Sequence, residues 1–168
     1  PEVEKAVNKL KAAKKINSFE PQVRLWLGRA LFMQGDATNA AEELKVAVSE
    51  LGDSELATVW LSEALTTSGQ SVLAVKILED DLKKRPNHLH SLVTLSKLKF
   101  NSSEKISDAA LIIKKELKLA LNKFERYASS DEEDINDLGM SLRSTEKVKE
   151  EITSLLQRVE TKLKQKQK

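Results

Sequence analysis

The chain contains no cysteine. It can build no disulfide framework, hold no metal through thiolates and present no cysteine nucleophile, so its redox compartment is not readable from it. Aromatic residues supply only 4% of the 168 residues, and there are five Gly and three Pro. So few turn formers beside abundant Ala, Leu, Glu and Lys point to helix. No apolar run approaches the ~18 residues of a membrane span. Neither sign of charge prevails: 28 Lys and Arg face 26 Asp and Glu, a formal net charge of +2. That balance argues against a dedicated nucleic-acid binder. No Gly-rich phosphate loop, nucleophile elbow or pair of catalytic carboxylates is present, so the expectation is a non-enzyme with no catalytic residue, cofactor or metal. The first residue is Pro1, and no signal-peptide pattern follows it. The expectation is a piece of a longer cytoplasmic polypeptide.

What is present is a repeat. Trp26 and Trp60 lie ~34 residues apart, and other pairs keep that offset. Leu27 matches Leu61, Ala30 matches Ala64, Leu31 matches Leu65, Gly35 matches Gly69, Ala40 matches Ala74 and Leu44 matches Leu78. Ala6, Leu10 and Ala13 precede Ala40, Leu44 and Ala47 by the same step, so the chain is expected to start inside the second helix of an earlier repeat. Leu27, Ala30 and Leu31 share one helix face, as do Leu61, Ala64 and Leu65. Gly35 and Gly69 fall where a first helix stops and a tight turn begins. Ala40 and Ala74 are small, as a close helix crossing requires. The basic run Lys83-Lys84-Arg85 followed by Pro86 marks a helix C-terminus.

The segments LWLGRALFMQGDATNAAEELKVAV and VWLSEALTTSGQSVLAVKILEDDL resemble the tetratricopeptide family. The residues concerned are Leu27-Gly28, Ala40 and Ala74, Leu44 and Leu78, Ala47, and Pro86. The chain departs from the family where Arg24 and Thr58 replace an early aromatic, where Ser62 replaces the repeat Gly, and where Leu31 and Leu65 replace a late aromatic. The resemblance covers roughly residues 1 to 100. It implies an all-α fold, a right-handed α-α superhelix of helical hairpins, ended here by longer C-terminal helices. The expected divisions are a second helix of a truncated repeat at 1–18, repeats at 19–54 and 55–88, a degenerate repeat with an extended second helix at 89–128, an acidic loop at 129–141, and a capping helix with a basic tail at 142–168.

The resemblance also implies that first helices line a concave groove that takes a partner peptide or helix. Its positions would be Gln22, Leu25, Trp26, Arg29 and Met33, then Leu56, Val59, Trp60, Glu63 and Thr67, then His90, Val93, Thr94, Lys97 and Asn101. Leu25, Val59, Val93 and the two Trp residues would anchor the partner, with Arg29, Glu63 and Lys97 setting register. Each Trp has two readings: cover over the seam between hairpins, or an exposed hot spot. A carboxylate clamp of the kind some members use on acidic chain ends is not matched, because of its sites only Arg29 carries a suitable charge.

Beyond Leu89 the register loosens. Asn101-Ser102-Ser103 reads as a turn, and Ser107-Asp108 as the cap of a helix to about Tyr127 with Ile113, Leu117 and Leu121 on its apolar face. The stretch from Ser129 to Gly139 carries acids and no base, and reads as a loop whose serines an acid-directed kinase could modify. A last helix spans about Leu142 to Leu163. Its Val148, Ile152, Leu155 and Val159 either cap the solenoid or form a heptad-like seam for a homo-oligomer. His88 and His90, two apart, do not make a metal site on a helix. The function expected is a protein-interaction scaffold or adaptor. The rival readings are contact with nucleic acid or anionic membrane through Lys162, Lys164, Lys166 and Lys168, or a purely structural stretch of a longer solenoid.

Overall fold

The computed structural model describes residues 2–102, 110–111, 113–119, 121–122 and 142–165. The described residues are all-helical, with no strand among them. In order the helices are α1 (Glu2–Ile16), α2 (Pro21–Met33), α3 (Ala37–Leu51), α4 (Glu55–Thr67), α5 (Ser71–Lys84), α6 (Leu89–Ser102), α7 (helical at 110–111, 113–119 and 121–122) and α8 (Leu142–Gln165). They fall into two compact units, Pro1–Pro86 and Asn87–Lys168.

In the first unit each helix packs on the next, from α1 through α5. The turns that make this possible recur with the sequence period. After α2, Asp36 N–H donates to Leu31 C=O at 3.0 Å and Gly35 N–H to Phe32 C=O at 3.0 Å. After α4, Gln70 N–H donates to Leu65 C=O at 2.7 Å and Gly69 N–H to Thr66 C=O at 3.1 Å. This paired pattern closes a helix through a left-handed residue, which Gly35 (φ 93°) and Gly69 (φ 82°) supply without a Cβ penalty. The core is Leu and Ala: Leu27, Leu44, Leu61, Leu65 and Leu78 are fully enclosed, and Ala40, Ala47, Ala64 and Ala74 are inaccessible. Small residues let the helix axes approach. At Gly28 an added Cβ would lie 2.5 Å from Leu44 Cγ. Its counterpart Ser62 is equally buried and satisfies its hydroxyl by donating to Val59 C=O at 2.7 Å.

Two ion-pair clusters tie elements together. Glu43 on α3 accepts from Arg24 Nη1 on α2 at 2.9 Å and from Lys14 Nζ on α1. Asp81, enclosed near the end of α5, accepts from Arg85 Nη1 at 2.8 Å, while the other guanidinium nitrogen donates to Gly52 C=O in the turn after α3.

The second unit has its own core of Val93 and Phe100 from α6, Ala110, Ile113 and Leu117 from α7, and Ile152, Leu155 and Val159 from α8. Lys97 pairs with Glu151 and Lys114 with Glu160, each at 2.8 Å. Arg158 and Lys162 lie 5.3 Å and 4.3 Å from the Phe100 ring centroid. Two expectations change here. Asn101 and Ser102 are not a turn: α6 runs through them, held by the burial of Phe100 one residue earlier. The heptad-like residues Ile152, Leu155 and Val159 are covered within the unit, so that seam is not free to pair with a second copy. The acidic stretch 129–141, the helix limits near Ser107 and Tyr127, Val148's side chain, Lys166 and Lys168 lie outside the described residues.

Candidate protein-docking face

Helices α2 and α4 lie side by side in the first unit, and residues one period apart touch. Arg29 Nη1 meets Glu63 Oε2 at 2.8 Å across a separation of 34 residues. Trp26 and Trp60 meet edge to face, with centroids 5.4 Å apart and planes at 64°. The Arg29 guanidinium also lies 4.9 Å from the Trp60 centroid and 5.5 Å from that of Phe32. The result is one cluster in which a cation is held by a carboxylate and two ring faces. Edge-to-face aromatic pairs are worth about 0.5–1.5 kcal/mol beyond their buried area.

The steps from Gln22 to Trp26, Arg29 and Met33 are four, three and four residues, and those from Leu56 to Trp60, Glu63 and Thr67 are the same. That spacing keeps each set on one helix face. Trp26 is 51% exposed, Met33 63% and Leu56 44%. Gln22 and Thr67 are exposed, while Arg29, Trp60 and Glu63 are partly covered. These eight residues therefore make a continuous surface of aromatic and aliphatic groups around an internally neutralised ion pair. Phe32 belongs to it as well. It is not among the expected groove positions, although its place three residues after Arg29 puts both on one side of α2.

Leu25 and Val59 do not belong. They are 4% and 8% exposed and lie in the core. Each precedes a Trp by one residue, and one residue turns a helix by about 100°, which carries the side chain from the outer face to the inner one. Val93 is likewise a core residue, of the second unit, and cannot anchor a partner. His90 and Lys97 are on α6 in that unit. Burial lowers the His90 pKa below its ordinary 6.5, opposed by Glu151 and aided to a smaller degree by Lys97. Lys97 is engaged by Glu151. Thr94 on α6 is partly buried and Asn101 is exposed.

Among the described residues no helix is long and apolar enough to cross a membrane, and no three His, Asp or Glu side chains cluster as a metal site would need. No protein-family model matches the chain, and no curated protein matches it either.

Proposed function

We propose that the α2/α4 face docks an apolar, helical segment of another protein, and that the first unit is an interaction scaffold of tetratricopeptide type. The observation that carries this reading is the contact between equivalent positions, Trp26 with Trp60 and Arg29 with Glu63, because a stacked repeat array brings like residues of neighbouring hairpins together. The chemistry of the face names the partner. Arg29 and Glu63 answer each other, so the exposed remainder is uncharged: Trp26, Met33 and Leu56, flanked by Gln22 and Thr67, which reward apolar burial rather than charge. A polyanion or a charged chain end gains little there. An amphipathic helix can lay large apolar side chains across it at intervals of three and four residues.

The test is a selection of peptides from a random displayed library against the full chain, followed by titration of the winners. The expected winners carry Leu, Phe or Met at helical spacing and shift the tryptophan emission. Their affinity changes by no more than about threefold over a tenfold rise in salt, since no net charge is engaged. Trp26→Ala weakens them by about tenfold or more, the scale of an interface hot spot. Winners that are highly charged, or that bind Trp26→Ala as well as the parent, overturn the reading.

A further inference from the structure

The second unit carries a different surface. On α7, Ala110, Ile113 and Leu117 are buried, whereas Lys115, Lys118 and Leu119 are exposed. At about 100° per residue these three stand roughly 100–160° from Leu117, on the crest of the helix and away from the core. Leu119 is 52% exposed, and Leu111 on the same helix is 57% exposed. Two leucines bare to solvent among lysines are a costly arrangement unless something covers them. Among the described residues, Glu116 stands beside these lysines on α7 and Glu160 faces them from α8. Glu116 has one carboxylate oxygen shielded from solvent. Glu160, at the shoulder where α8 meets α7, is bonded by Lys114 at 2.8 Å. That bond, with Lys118 and Lys164 close by, holds its carboxyl below the usual carboxylate range. Lys115, Lys118 and Lys164 make no ion pair among the described residues.

We propose that the outer crest of α7, with Lys164 of α8 beside it, is a docking surface for an anionic lipid membrane. Lysines at such a surface pair with headgroup phosphates and carboxylates, while their stems and the leucines lie against the acyl boundary. The shape favours a flat partner, because Leu111, Lys115, Lys118 and Leu119 crown one helix and, among the described residues, form no groove for a peptide to enter. Nucleic acid fits less well: the crest has no aromatic ring to stack on a base and no arginine fork for a phosphate, and it spends two leucines that a polynucleotide would leave wet. With one short basic and apolar face the attachment is weak and reversible. The surface shares no residue with the α2/α4 face, so it stands or falls separately from the docking function proposed above.

Co-sedimentation of the full chain with vesicles tests it. Vesicles of phosphatidylcholine with phosphatidylserine are expected to carry the protein down, vesicles of phosphatidylcholine alone are not, and salt releases it. Lys115→Gln with Lys118→Gln is expected to lower partitioning roughly 30-fold, at about fivefold per lysine. Leu111→Gln with Leu119→Gln lowers it further when salt has weakened the charge contribution. Lys115→Arg with Lys118→Arg keeps the charge and binds like the parent. All these positions are exposed, so helical content by circular dichroism is expected to be the same in every variant. The proposal is overturned if phosphatidylserine vesicles fail to sediment the parent at low salt. It is equally overturned if both double replacements bind unchanged, or if single-stranded RNA or an acidic peptide displaces the chain from vesicles at equal charge.

Discussion

Gly28 shows how far one missing methyl can decide a helix crossing. A Cβ there would meet Leu44 Cγ at 2.5 Å and Cδ2 at 3.0 Å, and Leu44 is wholly enclosed, so its branch has nowhere to swing. Glycine inside a helix costs about 1 kcal/mol relative to alanine. Overfilling a packed core costs about 1–3 kcal/mol. With Leu44 enclosed the steric cost outweighs the gain, and Gly28→Ala is expected to lower the urea midpoint, for a net loss of up to about 2 kcal/mol. Leu44→Ala is expected to cost about 2–5 kcal/mol by itself. In that background the obstruction is gone, and Gly28→Ala should become stabilising by up to about 1 kcal/mol. The reversal of sign is what the double-mutant cycle reads. A loss of equal size in both backgrounds would move the obstruction from the Leu44 side chain to the backbone carbonyl of Ala40, 3.2 Å from the same Cβ.

At the scale of elements, the turns after α2 and α4 share hydrogen bonds but not caps. Asp36 caps α3 by accepting from Asn39 N–H at 3.2 Å, and the Asn39 side chain returns a bond of 2.6 Å to the same carboxylate. Those bonds hold the Asp36 carboxyl below its ordinary pKa of 3.8. One period later Gln70 occupies the same place before α5 and makes no side-chain cap bond. Its φ and ψ of −99° and 43° are near the −90° and 70° of Asp36. Gln70→Asp is therefore expected to stabilise the chain by about 0.5–1 kcal/mol, seen as a higher thermal midpoint at neutral pH. A midpoint that stays or falls would show that the backbone before α5 cannot present the carboxylate. The same elements show what could be read beforehand. The hairpin rhythm is legible because Gly35, Gly69 and the basic end before Pro86 have local causes. The rotation of each helix is not, so the sequence alone puts Leu25 and Val59 outside and admits both a packing and a binding role for Trp26 and Trp60. A repeat period aligns positions along the chain, but the inner and outer faces of α2 are separated by a single residue. The end of α6 differs from expectation for a related reason: Asn101 and Ser102 favour a turn only weakly, and burial of Phe100 outweighs them.

Over the whole molecule, the near-neutral charge is an average over unlike surfaces. The first unit presents a face whose ion pair is internally settled, and the second presents exposed lysines beside a Glu160 that Lys114 already engages. That contrast was hidden in the composition, since exposed leucines such as Leu111 and Leu119 look like core residues until the helix is oriented. The two units also have separate apolar sets. Leu78 is enclosed among the helices of the first, and Leu155 in the cluster shared by α6, α7 and α8. Either residue cut to alanine should cost about 2–5 kcal/mol at its own site. Hydrogen exchange on the full chain resolves where that cost is felt. Leu155→Ala is expected to speed exchange at 89–102, 113–119 and 142–165 while α2, α3 and α4 keep their protection. Leu78→Ala is expected to do the reverse. Faster exchange throughout the chain in both variants would mean that the two cores open as one cooperative body, and that each unit depends on the other for its fold.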